Sequence, residues 1–135
     1  QDSLHMLMTC EPQIKEIGDL ISRTDVLLFG IGTAMRMADQ RHIADDVRKQ
    51  LVDNHAVGEA LGQYCDIDGK LIYSTNNIGL SLPDVAKIPN VIAVAGGQDK
   101  SSAIIGVMRA CQKGILIIDE QAAEGMRQLL QISAL

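Results

Sequence analysis

A lysine at the start of a helix repels the helix dipole unless an anion lies opposite it. Residues 91–104, VIAVAGGQDKSSAI, set up that situation. An apolar strand runs into Gly96-Gly97, and Lys100 falls where the next helix begins. Paired glycines let the backbone turn tightly and bring its N–H groups near a ligand. A helix start adds unpaired N–H donors, and the lysine adds a full charge. Such a set suits a phosphoryl group. A second turn, FGIGTAM at residues 29–35, follows the apolar run VLLFG and offers Gly30, Gly32 and Thr33. Arg36 and Arg41 stand just beyond it, and either could grip a phosphate through two parallel hydrogen bonds. Glu59 lies in AVGEALG among small and apolar neighbours, where a carboxylate can accept from sugar hydroxyls. Together these residues point to a phosphorylated sugar.

Each feature also has a plainer reading. Gly96-Gly97 can be only a tight strand-to-helix turn. Lys100, Arg36 and Arg41 can be solvated surface cations, and Glu59 can point to solvent. Thr33 can cap the next helix. The GIGT turn is neither a dinucleotide fingerprint, since the third glycine is missing, nor a P-loop, since no Gly-Lys-Ser/Thr follows. Asp119-Glu120 is the best acid/base pair in the chain, and its alternative is to cap the last helix. His5, His42 and His55 have no ligand or catalytic spacing. No catalytic residue, metal ligand or cofactor motif emerges.

These residues need a frame that brings them together. The apolar runs at residues 24–30, 91–97 and 114–118 read as strands buried on both faces of a parallel sheet. Residues 11–23, 45–53, 100–111 and 121–131 carry helical spacing. Shorter helices are expected at residues 34–38 and 82–88, the latter opened by Ser81 and Pro83. Residues 57–66 are extended, and Asp68-Gly69 marks a hairpin turn. Strand and helix alternate as in a parallel α/β sheet. Ligands bind such sheets beyond the carboxyl ends of the strands, so the turns after residues 30 and 95 and the Asp119-Glu120 pair are expected at one edge.

Composition narrows the possible functions. The 135 residues make one domain or a large part of one. A net charge of −5 and three aromatic side chains (Phe29, Tyr64, Tyr73) argue against nucleic-acid binding by this chain. Cys10, Cys65 and Cys111 are odd in number and widely spaced, as expected of reduced thiols in a cytoplasmic protein. No apolar run is long enough to span a membrane.

The segments GIGTAMRMADQR, DNHAVGEALGQYCDIDGK, IPNVIAVAGGQDKSSAI and GILIIDEQAA resemble the effector-binding domain of SorC/DeoR-type bacterial transcriptional regulators. The likeness runs from about Glu11 to the last helix. It implies a Rossmann-like α/β fold related to glucosamine-6-phosphate deaminase and ribose-5-phosphate isomerase, with flanking helices and a phosphorylated sugar at the strand ends. Fructose-1,6-bisphosphate is the first candidate. The resemblance implies that Lys100 contacts a phosphate, that Arg41, with Arg36 as fallback, does similar work, that Glu59 holds sugar hydroxyls, and that a Gly/Thr-rich turn without counterpart before Gly30 serves the second phosphate. It further implies that residues 1–135 are the C-terminal part of the effector domain, with no DNA-binding domain in the chain. DNA would be reached only through that other domain, and copies would associate. The competing reading is a sugar-phosphate isomerase or deaminase of the same fold, with Asp119 or Glu120 as base.

Overall fold

The computed structural model describes residues 3, 6, 10–75 and 79–131; His5 lies outside them. The chain runs α1 (Pro12–Ser22), β1 (Val26–Gly30), β2 (Gly32–Thr33), α2 (Ala34–Gln40), α3 (Asp45–Asp53), β3 (Gly58–Ala60), β4 (Gln63–Cys65) and β5 (Leu71–Ser74). A 3-10 turn (Pro83–Lys87), β6 (Asn90–Ala95), a second 3-10 turn (Gln98–Lys100), α4 (Ser101–Cys111), β7 (Ile115–Ile118) and α5 (Glu120–Leu129) follow.

The three apolar runs form a parallel sheet in the order β1-β6-β7. Phe29, Val91, Ala93 and Ala95 point from it into the main core, where they join Ala103, Ile104 and Val107 of α4. Among the described residues nothing covers the opposite face, which corrects the expectation of strands buried on both sides. Val26, Leu28, Val94, Ile115 and Ile117 are exposed there, and Ile92 is half-buried. Topology explains it. From β1 to β6 to β7 the sheet advances in one direction, and right-handed crossovers then place the connecting layers on one face. α1 precedes the sheet and buries none of its own residues.

A second sheet, in the order β2-β3-β4-β5, is antiparallel throughout. Only its last hairpin was legible in advance. β3 turns into β4 through Leu61-Gly62, both at positive φ (54° and 79°), the twist that suits a two-residue hairpin. β4 turns into β5 around Asp66, whose Oδ1 accepts from the amides of Asp68 (3.0 Å) and Lys70 (2.9 Å). Gly69 supplies the left-handed step at φ 84°.

α4 joins the two sheets. Its apolar residues pack on the parallel sheet, and its Gly106 lies so close to β4 that a Cβ there would overlap the Asp66 carbonyl oxygen. A smaller core made of Ala34, Ala38, Leu51 and Tyr64 holds α2 and α3 against the antiparallel sheet. Both sheets therefore end beside the same gap.

Candidate functional site

A cavity of about 460 Å³ opens beyond the carboxyl ends of β1 and β6. Gly30, Gly32 and Thr33 line it from the first turn, Arg36 from α2, Arg41 from the C-terminal cap of α2, Glu59 from β3 and Lys100 from the second 3-10 turn. Residues separated by up to 70 positions in sequence thus face one space. Gly96 and Gly97 do not line it. The expectation that the Gly-Gly turn presents its N–H groups to the ligand is corrected for Gly97, whose amide is already bonded to the Asp119 carboxylate at 2.9 and 3.1 Å.

The lining carries three cations against one carboxylate. This local positive excess sits in a chain of net charge −5. Arg41 Nη2 donates to Glu59 Oε1 at 3.0 Å. The same oxygen accepts from the Gly62 amide at 2.7 Å. A carboxylate only 4% exposed is tolerable because two donors satisfy it. Its second oxygen, Oε2, makes no hydrogen bond among the described residues. A Cβ at Gly32 would stand 3.9 Å from Oε2 and collide with the Met37 side chain. The glycine keeps that side of the carboxylate open.

Thr33 occupies the N-cap position of α2 but makes no side-chain cap bond, so its hydroxyl is left over at the cavity. Lys100 is half-buried and ends the 3-10 turn, its amide donating to the Gly97 carbonyl at 3.2 Å. Gly97 takes φ 96°, a conformation that side chains resist.

Asp119 resolves toward capping. Its Oδ1 accepts from the Ala122 amide at 2.8 Å. That bond and the one from Gly97 hold its carboxyl below the usual carboxylate range. Neither Asp119 nor Glu120 lines the cavity. His42 and His55 are exposed at left-handed turns (φ 50° and 54°). Cys65 and Cys111 are buried free thiols pushed up by burial to about 12 and about 11, unsuited to nucleophilic work.

Residue-level reading missed part of the lining. Met37 and Gln40 face the cavity beside Arg36 and Arg41. The signal was available, because Arg36/Gln40 and Met37/Arg41 are i, i+4 pairs on one helical stripe; the short helix expected from residues 34–38 runs on to Gln40. Leu61 lines the cavity because it forms the β3–β4 turn, a hairpin that carried no clear sequence mark.

Residues 1–128 match the sequence model of the Sugar-bind family, "Putative sugar-binding domain". The chain belongs to that family. It is 38% identical over 114 residues to the central glycolytic genes regulator of Bacillus subtilis (strain 168), covering 84% of this chain and 34% of that protein. The regulator of the same name from Priestia megaterium is 37% identical over 123 residues, covering 91% and 36%. The "putative SorC family transcriptional regulator" of Enterococcus faecalis superposes with a TM-score of 0.81 at 38% identity, over 93% of this chain and 49% of that one. The full-length sorbitol operon regulator SorC from Klebsiella pneumoniae shares the fold, with a TM-score of 0.75 at 23% identity over 93% and 41%. This chain spans about a third of those curated relatives and about half or less of those solved chains. The relatives are transcriptional regulators, not enzymes. Among the described residues no helix is long and apolar enough to cross a membrane, and no cluster of side chains could hold a metal ion.

Proposed function

We propose that this chain is the effector-sensing part of a bacterial transcriptional repressor, with fructose-1,6-bisphosphate as the first candidate among phosphorylated sugars. The observation that carries the reading is the shared cavity: Lys100, Arg36 and Arg41 converge with Glu59 where the parallel strands end. Lys100 and one arginine offset phosphoryl charge. Glu59 accepts from sugar hydroxyls through Oε2, and the Thr33 hydroxyl donates to a phosphoryl oxygen. Residues 1–135 form the C-terminal part of the effector domain, and DNA is contacted by a domain outside the chain. Occupancy changes contacts between copies in the cytoplasm and so operator affinity, a coupling between two sites. Both central glycolytic genes regulators support the glycolytic assignment by similarity.

Calorimetric titration of fructose-1,6-bisphosphate into the full-length regulator tests this. The Lys100→Ala variant is expected to lose about 2 kcal/mol of binding, the worth of a charge-assisted contact in a shielded site. Unchanged affinity would remove Lys100 from the site. Absence of binding by the unaltered protein to this ligand and to fructose 6-phosphate alike would end the sugar-phosphate reading.

A further inference from the structure

Asp119 makes one bond more than a helix cap requires. Capping α5 needs only the bond from the Ala122 amide to Oδ1, 2.8 Å long. The same carboxylate also accepts the Gly97 amide, 22 residues earlier, at 2.9 Å on Oδ2 and 3.1 Å on Oδ1. The carbonyl of Gly97 in turn accepts the amide of Lys100 at 3.2 Å. A continuous path of hydrogen bonds thus runs from the end of β7 to Lys100, which lines the cavity.

Two further details fix this path. A Cβ at Gly96 would come within 2.8 Å of Asp119 Oδ2, so glycine at 96 makes room for the carboxylate rather than for a ligand. Ser101 Oγ donates to the Gln98 carbonyl at 2.7 Å and lies 3.3 Å from the Ala122 carbonyl. Gly125 lets α5 approach this serine, since a Cβ there would stand 3.0 Å from Ser101 Cβ. The turn that carries Lys100 therefore rests on α5 from behind.

We infer that Asp119 is a positioning residue for the anion site: it holds the Gly97 peptide and so sets where Lys100 stands. The inference rests on the proposed reading of the cavity as a sugar-phosphate site. Asp119 touches no ligand in this arrangement. It fixes a backbone that would otherwise be free to rotate at the Gly96-Gly97 pair, where conformational freedom is greatest, and a loosely held first contact loses affinity.

The test compares Asp119→Ala, Asp119→Asn and Ala123→Gly in the full-length regulator, by thermal melting and by calorimetry with fructose-1,6-bisphosphate. Ala123 is exposed on α5, so its glycine variant weakens the helix without touching the Gly97 bond. Asp119→Ala is expected to weaken binding by about tenfold or more, the loss of one well-placed charge contact. Asp119→Asn keeps an acceptor oxygen and restores most of the affinity. Ala123→Gly lowers Tm comparably but leaves affinity within about twofold. Equal affinity of Asp119→Ala and the unaltered protein would overturn the inference alone. So would an equal loss in Ala123→Gly, which would make the effect one of helix stability. If the unaltered protein binds neither fructose-1,6-bisphosphate nor fructose 6-phosphate, the site reading falls and the inference with it. Should Asp119→Ala not fold, Gly96→Ala displaces the carboxylate without removing it. It is expected to weaken binding as well, and unchanged affinity there overturns the inference.

Discussion

The two walls of the cavity are held by different forces. On one side stands Lys100, fixed through backbone hydrogen bonds and close packing: Asp119 on the Gly97 amide, Ser101 on the Gln98 carbonyl, Gly125 against Ser101 and Gln98. On the other side stands Arg41, fixed by an ion pair with buried Glu59. The first wall leaves its cation without an ionic partner among the described residues. The second has already committed part of its charge internally. Backbone bracing fixes the first wall; an ion pair fixes the second. An anion arriving at Arg41 competes with a carboxylate that is in place beforehand.

The largest effect is expected at the seam between the walls. Gly106→Ala forces a methyl onto the Asp66 carbonyl. Overpacking costs about 1–3 kcal/mol, while alanine in place of glycine returns about 1 kcal/mol of helix propensity. The obstacle is backbone on both elements, so the penalty wins. Urea titration should show a lowered midpoint with little change in slope. A raised midpoint would mean that the walls move apart freely and are not one rigid frame.

An intermediate effect concerns acid. The folded Asp119 carboxyl lies below its ordinary value of 3.8, chiefly because the Ala122 and Gly97 amides bond the charged form. A depressed folded value stabilises the protein above the unfolded value and is lost as pH falls through the folded one. Thermal melts from pH 6 down to pH 3 should therefore show an acid decline in Tm that is shallower in Asp119→Asn. Identical profiles would mean that the Lys100 wall is not held by this charge.

The smallest effect belongs to the Arg41 wall. Tyr64 stands opposite Glu59 in the β3–β4 register. Its hydroxyl is buried with no hydrogen-bond partner among the described residues. Burial first, and the nearby Glu59 charge second, raise its pKa. Removing an unpaired buried hydroxyl is close to neutral or stabilising by up to about 1 kcal/mol. Tyr64→Phe should accordingly keep or raise Tm, and a clear drop would show that the hydroxyl supports Glu59.

The division between the walls also explains what could be read from sequence. The Lys100 wall follows a strand and opens a helix, and both are periodic. Continuous apolar runs marked β1, β6 and β7, and α3 could be bounded at residues 45–53. The Arg41 wall depends on pairing between short strands. β2 has two residues and β3 and β4 have three each, too few for alternation to register. Arg41 and Glu59 were singled out by type and family resemblance, yet their ion pair depends on β3 lying beside β2, which only tertiary structure supplies. Burial on one face alone was equally invisible. VLLFG and GILII read as fully buried because an apolar residue looks the same whether or not something covers it. Asp119 was seen with both its roles open, and a bond to an amide 22 residues away leaves no local trace.

The uncovered side of the parallel sheet has a practical consequence for handling the molecule. Five branched aliphatic side chains stand in water there, with like-charge repulsion as the main force keeping molecules apart. That repulsion vanishes near pH 5.0, the isoelectric point. Light scattering should therefore rise sharply in that interval, and a fluorescent dye that brightens in oily surroundings should bind even while every helix remains intact. Colloidal behaviour of this domain is governed by an apolar surface that meets its basic cleft at Val94.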